Sequence, residues 1–350
     1  MTQQGASATE TSNSRRWGMS EEISPEHLEQ DQVNAVLTAV VQGMNQTELS
    51  VEVRLSAVKA LYNALYFADS NFANEMERNY ILKVICETAV SNEVEIRQAA
   101  FECLVAIASI YYMHLEPYMQ TVFNLTSNTV KGDEESVALQ AIEFWSTICD
   151  EEIQLQEEYE GYDDANSSAN FRFIEKALSS LVPMLLETLL KQEEDEEQDD
   201  NVWNISMSGG TCLGLIAKAV GDAIVPLVMP FVEANITNPD WHCREAATFA
   251  FGSILDGPSL PKLAPLWESD CNKWKPSAYH DSIAGSSKDV PNVAEKVCGA
   301  IYFLAQGYEN TVDSISSVLT PYLPSVITAL LSAWTVLTRP ISNRSSAYRR

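Results

Sequence analysis

The chain has 350 residues, with 49 Asp and Glu against 22 Lys and Arg, and a formal net charge of −27. That balance excludes a nucleic-acid binder, which needs a basic stripe to displace counterions, and it argues against docking on anionic membrane. With 46% hydrophobic residues and only 14 Gly and 14 Pro, the chain is rich enough for a packed, mainly helical core and too apolar for general disorder.

The first twenty residues, MTQQGASATETSNSRRWGMS, carry no apolar h-region and read as no secretory signal; residues 1–24 are expected to be disordered. The apolar residues Val33, Val36, Leu37, Val40, Val41 and Met44 then fall on one helical stripe, and Val51, Leu55, Val58, Leu61, Tyr62 and Leu65 repeat it after a polar turn. A second pair places Tyr80, Ile81, Val84 and Ile85 before Ile96, Ala99, Ala100, Cys103, Leu104 and Ile107. A third places Val122, Phe123 and Leu125 before Val137, Leu139, Ala141, Ile142, Phe144 and Trp145. The second helix of each pair opens alike, at Val53-Arg54-x-x-Ala57, Ile96-Arg97-x-x-Ala100, Val137-Ala138-x-x-Ala141 and Cys243-Arg244-x-x-Ala247.

The step from Arg54 to Arg97 is 43 residues and from Arg97 to Ala138 is 41. Helix pairs recurring every ~40–47 residues are the signature of HEAT or armadillo arrays, in which a pair cannot bury its stripe alone and must stack on its neighbours. The predicted fold is therefore all-α, a right-handed α-solenoid of about five intact HEAT repeats plus two damaged ones. The step from Ala138 to the matching Ser206 is 68 residues; its surplus falls in the polar stretch near Tyr159–Asn170 and in the run Glu193–Asp200. Residues 25–266 are expected to form the array, with an acidic loop at 192–202. Residues 267–289 lack a helical stripe and stand in place of a repeat, and 290–350 read as further HEAT helices, truncated. No polar capping repeat is evident at either end.

Seven cysteines, never closer than 17 residues apart, sit mostly in helix-like apolar runs and include no C-x-x-C, so buried thiols in a reducing compartment are expected, with no disulfide framework and no zinc site. No stretch reads as a membrane span. The run Gly209-Gly210-Thr211-Cys212-Leu213-Gly214 has the glycines of a phosphate loop but not its Lys-Ser/Thr or its preceding strand; small residues that let helices approach closely explain it better. The four histidines are scattered, and His242-Cys243 as neighbours suit no metal site on a helix. Nothing in the sequence sets out a catalytic constellation, so no enzyme, no cofactor and no metal are expected.

The acidic residues Glu193, Glu194, Asp195, Glu196, Glu197, Asp199 and Asp200 admit two readings. One is a solvated inter-helix loop; the other is an anionic arm that captures a basic surface by electrostatic steering. Trp203 follows directly, and is either packing at a helix start or a platform for Lys and Arg side chains, a contact worth ~0.5–2 kcal/mol. Residues 151–200 hold 16 acids against 3 basic residues, so much of the chain's charge is concentrated there.

The segments LTAVVQGM (37–44), VRLSAVKALYNALYFADSNF, MERNYILKVICE, IRQAAFECLV, ESVALQAIEFWSTICDEE, LVPMLLETLLKQEEDEEQDDNVWN, GGTCLGLIAKAVGDAIVP and NPDWHCREAATFAFGSILDGP resemble the karyopherin-beta family of HEAT-repeat nuclear import receptors. The likeness runs from about Glu21 to Leu266 and resumes at DVPNVAEKVCGAIYFLAQGYE (289–309). It implies that the first helices of the first three repeats form shallow slots for the Phe side chains of FG-repeat nucleoporins. The matching positions are Leu37, Thr38 and Val41, then Glu77, Tyr80 and Ile81, then Tyr118 and Leu125; the apolar members also suit core packing. Burying one Phe yields ~1.5–3 kcal/mol, so each slot alone is weak and several act by avidity.

The resemblance further implies that the acidic loop meets a basic patch on the GTPase Ran, that Trp203 stacks on Arg side chains of the importin-alpha import-binding segment, and that Glu143, Asp150 and Glu151 line the concave face. Ran-GTP and adaptor would then compete, a reciprocal coupling that gives transport its direction. The chain departs from the family pattern: the N-terminal repeats have no counterpart, a repeat is largely missing between Leu266 and Asp289, and Gly299 stands where a family Trp is expected. The expectation is a truncated or rearranged, monomeric fragment acting in cytoplasm and nucleus and at the nuclear pore. FG binding is the activity expected to survive and tight adaptor or basic-cargo binding is not. The competing reading is a generic HEAT scaffold or inactive product with Tyr80 and Ile81 in its core.

Overall fold

The computed structural model of the chain describes residues 29–159, 170–192, 203–236 and 238–259. The expected disordered segment 1–24, the acidic run 193–200, the irregular segment 267–289 and the further helices of 290–350 lie outside the described residues. Among the described residues there are eleven α-helices and no strand. They form five antiparallel pairs: α1 (Gln30–Gly43) with α2 (Val51–Ala64), α4 (Glu75–Thr88) with α5 (Val94–Ile110), α6 (Met119–Gly132) with α7 (Glu135–Tyr159), α8 (Phe173–Thr188) with α9 (Ile205–Val220), and α10 (Val225–Asn235) with α11 (Trp241–Ser253). The short α3 (Asp69–Ala73) is an extra turn wedged before α4. The architecture is the α-solenoid that the 43- and 41-residue steps require.

Local sequence caps four of these helices. Ser50 caps α2 by accepting from Val53 N, Asn74 caps α4 through Met76 N, Asn204 caps α9 through Met207 N, and Asp240 caps α11 through His242 N. Helix α8 has no such cap: Arg172 enters it in the left-handed region at φ 51°, and the first amides look elsewhere for an acceptor. They find Glu152 on α7, whose Oε1 accepts from Phe173 N and Ile174 N and from the Tyr112 hydroxyl at 3.0 Å.

The second helices stack in unbroken succession, α2 on α5, α5 on α7, α7 on α9 and α9 on α11, so one layer is continuous. The first helices form the other layer, which is close-packed between α6, α8 and α10, whereas the backbones of α1, α4 and α6 barely approach one another. The layer of closer approach lies inside the bend of a solenoid. Its core includes Leu61, Phe101, Leu104, Phe144, Trp145, Leu185 and Leu213, all buried. Trp145 satisfies its indole N–H on Thr126 Oγ1 at 3.0 Å.

The glycine run does what small residues do at a helix crossing. A Cβ on Gly209 would lie 2.0 Å from Thr188 Oγ1 on α8, and one on Gly210 would lie 2.3 Å from the Phe249 ring on α11. The recurring arginines stitch the edge where the turns lie. Arg97 donates to Ser91 O and Asn92 O in its own turn and pairs with Asp133 of the next repeat at 2.5 Å. Arg244 likewise donates to Asn238 O and Pro239 O, and Arg54 reaches Ser91 Oγ at 3.0 Å. One expectation needs correction. The helical stretch Ile205–Asn235 is long and apolar enough to cross a membrane by length and composition. It is broken by a turn at Gly221, φ 57°, and buries Leu213, Ile216 and Val228 against neighbouring helices, which accounts for its hydrophobicity within the array.

Candidate functional site

Two surfaces collect the residues singled out by sequence. The first is the outer layer at α1, α4 and α6. On α1, Asn34, Leu37, Thr38 and Val41 are spaced i, i+3, i+4, i+7 and share a face. On α4, Glu77, Tyr80 and Ile81 do the same. Leu37, Val41 and Ile81 are buried to within a few per cent and form the floor, while Thr38, Glu77 and Tyr80 are exposed above it, Tyr80 at 56%. Tyr118, at the entry to α6, and Leu125, two turns on, are both half-buried. The expected slot residues therefore do lie along adjoining outer helices, but the aliphatic ones serve chiefly as core and the rim is polar and aromatic.

The rim is held by hydrogen bonds that sequence reasoning missed. Asn71, on α3 and only 4% exposed, donates from Nδ2 to Asn34 Oδ1 on α1 at 2.8 Å and to Glu77 Oε2 on α4 at 2.6 Å. Its Oδ1 accepts from Gln30 Nε2 at 3.1 Å. Glu77 also accepts from Asn74 Nδ2 at 2.8 Å, so both carboxylate oxygens are engaged. Across the next groove Arg78 Nε donates to the Tyr118 hydroxyl at 3.3 Å, that hydroxyl donates to Asn79 Oδ1, and Arg78 Nη1 donates to Phe72 O. Polar residues on a short helix have no periodic signature, and their partners lie up to 41 residues away in the chain, as for Gln30 and Asn71.

The second surface is the inner layer. Glu143, Asp150 and Glu151 share one face of α7, with Glu143 exposed and the other two half-buried. Desolvation by the surrounding residues and the charge of Asp150 push the Glu143 carboxyl above its usual range although it still reaches solvent. Ser109 on α5 donates to Glu151 Oε1 at 3.4 Å. The neighbouring Glu152 is not part of that face: it is the buried cap of α8, and its burial raises its pKa.

Trp203 is 52% exposed at the start of α9, so packing at the helix start leaves half of its surface to solvent. The acidic residues Glu193, Glu194, Asp195, Glu196, Glu197, Asp199 and Asp200 lie outside the described residues, but the positions flanking them are fixed. Lys191 Nζ donates to Val130 O at 3.0 Å, Gln192 Nε2 to His242 O at 3.3 Å, and Ile205 N to Glu135 Oε1 at 2.8 Å. Among the described residues no group of three or more His, Cys, Asp or Glu could hold a metal ion.

No family model matches the chain. It is 52% identical over 353 aligned residues to importin subunit beta-1 of Arabidopsis thaliana, an alignment that covers 89% of this chain and 40% of that protein. It superposes on a solved structure of Kap95p with RanGDP at a TM-score of 0.67 and 34% identity, covering 87% of this chain and 40% of that one. Against the Kap95:Nup1 complex the TM-score is 0.69 at 30% identity, covering 94% of this chain and 44% of that one. The chain thus spans about two fifths of the length of the curated relatives it matches. With near-full coverage of its own length at these identities, and with the helix-pair architecture in common, the chain belongs to the importin-beta (karyopherin-beta) family.

Proposed function

We propose that the chain is a nuclear import receptor module that binds FG-repeat nucleoporins on its outer layer and Ran-GTP, with importin-alpha or basic cargo signals, on its acidic inner side. The observation that carries the first half is the loose spacing of α1, α4 and α6, beside which Leu37, Thr38, Val41, Glu77, Tyr80, Ile81, Tyr118 and Leu125 are set out on adjoining helices. The likeness to Kap95p, solved in complex with Nup1, supports the same reading. Each groove is shallow, with a floor almost fully covered, so a single Phe gains only part of the ~1.5–3 kcal/mol of full burial. Binding is then weak per site and gains strength by avidity over several repeats, with fast release at each one.

The second half rests on the exposed Trp203, on Glu143, Asp150 and Glu151, and on the seven acids of 193–200 in sequence. A net charge of −27 steers a basic surface to them, and the attraction is expected to weaken with salt. The likeness to Kap95p, solved with RanGDP, is consistent with a Ran-type partner here. Such a receptor works in cytoplasm and nucleus and at the pore between them.

A HEAT scaffold without transport activity is the competing reading, favoured by the burial of Leu37, Val41 and Ile81. Calorimetric titration of the chain with a peptide of several Phe-Gly repeats, and separately with Ran-GTP, separates the two. The receptor reading expects binding of both, with Ile81→Asp removing the peptide but not Ran. A folded chain that binds neither is the scaffold, and unchanged peptide binding by Ile81→Asp refutes the slot assignment.

A further inference from the structure

The outer grooves that flank α4 are spanned by side-chain hydrogen bonds at its first turn. Glu77 is tied through Asn71 to Asn34 of α1 on one side. Arg78 and Asn79 are tied to Tyr118, at the entry to α6, on the other. Residues Tyr80 and Ile81 follow one turn on, on the face of Glu77, so whatever spacing these bridges set is close to the spacing at which Tyr80 and Ile81 face their neighbours. Direct packing of α1, α4 and α6 on one another does not set it, because these outer helices barely approach one another, and between α1 and α4 it is α3 that packs on α4.

Asn71 itself is rigidly placed. The next residue, Phe72, is fully buried and stacks on Tyr111 at 3.8 Å between ring centroids, and the Tyr111 hydroxyl donates to Leu65 O at 2.6 Å and to Asp69 Oδ1 at 3.1 Å. The carbonyl of Phe72 receives Arg78. The short α3 is therefore pinned to the inner layer and offers one side chain, Asn71, to both outer helices. Burying an amide that makes three bonds is costly unless all are made, which selects one geometry over slipped alternatives.

We propose that Asn71 and Asn34 on one side, and the Tyr118 hydroxyl on the other, are positioning residues: polar struts that hold the grooves beside α4 at a fixed width, so that an aromatic side chain finds them already formed. The proposal rests on the nucleoporin-binding reading for its functional consequence, but the mechanical part stands on the hydrogen bonds alone. Where the backbones of outer helices pack directly, as α6, α8 and α10 do, no open groove is left between them. A groove that must reopen for each ligand gives up affinity to that reordering.

The test separates width from binding. Asn34 is exposed on α1 and acts in these bonds only as an acceptor, so Asn34→Ala removes the strut without a core cavity, and Asn34→Asp keeps an acceptor in place. Spin labels at the exposed Gln42 and Lys83 report the distance between α1 and α4 in the full chain. A narrow distance distribution that broadens or shifts in Asn34→Ala and is restored in Asn34→Asp is the expected result; an unchanged distribution in Asn34→Ala overturns the strut.

Titration of the same variants with a Phe-Gly repeat peptide reads the consequence. Asn34→Ala and Tyr118→Phe are each expected to weaken binding about threefold to tenfold, with Asn34→Asp close to the unaltered chain. If Ile81→Asp abolishes binding while Asn34→Ala and Tyr118→Phe bind normally, the struts have no positioning role and the proposal fails. If Ile81→Asp also binds normally, the nucleoporin reading fails, and the distance measurement alone then decides whether the struts exist.

Discussion

The outer helices α1, α4 and α6 and the outer helices α6, α8 and α10 belong to one layer but are joined by different forces. In the second group backbones pack closely, and α8 buries nine of its 16 residues. In the first group α4 buries only four of its 14, and its first turn, Glu75-Met76-Glu77-Arg78, is spent on polar bonds. A helix apolar on most sides is pulled into full contact with its neighbours, whereas a helix with one narrow stripe is free to stand apart. The narrow stripe of α4 goes with its loose spacing, although α6 buries as few of its residues and still packs on α8, and this part of the layer is where the sequence resemblance places nucleoporin binding.

The sharpest way to break the close-packed region is Gly209→Val. Its Cβ would meet Thr188 Oγ1 at 2.0 Å and Thr188 Cβ at 3.3 Å, so α8 and α9 must separate. A loss of about 3 kcal/mol is expected, measured as a lower urea midpoint. No substitution at the exposed rim of α1 or α4 should approach that figure.

Next in size is Glu152, which joins α7 to α8 across the repeat boundary. Glu152→Ala leaves the Phe173 and Ile174 amides and the Tyr112 hydroxyl without their shared acceptor, at a cost of about 2–3 kcal/mol. Glu152→Gln keeps the accepting oxygen and removes the charge. Because burial raises the folded-state pKa of Glu152, its contribution is fully present below the usual carboxylate pKa of ~4.3 and is lost as pH rises through the folded value. Denaturation from acid to neutral pH should therefore show Glu152→Gln gaining on the unaltered chain as pH rises; a constant difference would contradict the buried-cap assignment.

Asp133 gives the opposite sign. Its hydrogen bond from Arg97 holds its carboxyl below the usual range, so its stabilisation is present above a pKa of ~3.9 and is lost as pH falls through the lower folded value. Asp133→Asn is expected to cost about 1–2 kcal/mol at neutral pH, the pair being largely but not fully buried, and nothing below the folded pKa. The smallest effect belongs to the polar struts: Asn34→Ala should leave the unfolding midpoint within about 0.5 kcal/mol, since Ala suits an exposed helix position. A large destabilisation there would mean that α1 and α4 are held together as α8 and α9 are.

Much of this was legible in the sequence, because the features concerned are periodic. The 43- and 41-residue steps located the pairs, and the arginines at 54, 97 and 244 mark the same edge in three of them. The glycines at 209 and 210 were readable as close approach because they fit no phosphate loop. What was not legible is non-periodic. Asn71, Asn34 and Glu152 are single polar residues whose roles depend on which distant helix lies beside them, and Glu152 follows two look-alike acids that are only half-buried, on the inner face. The expected slot residues fall on α1, on α4 and at α6, but sequence alone could not tell that Leu37, Val41 and Ile81 are covered while Thr38, Glu77 and Tyr80 are exposed.

The central claim, that the loosely packed half of the outer layer is the nucleoporin-binding half, is tested most directly by methyl-resolved NMR of the full chain titrated with a Phe-Gly repeat peptide. The account predicts saturable shifts at Ile81, Val41 and Leu125, with Leu185 of α8 and Val228 of α10 unmoved. Shifts centred on α8 and α10, or none anywhere, would contradict it.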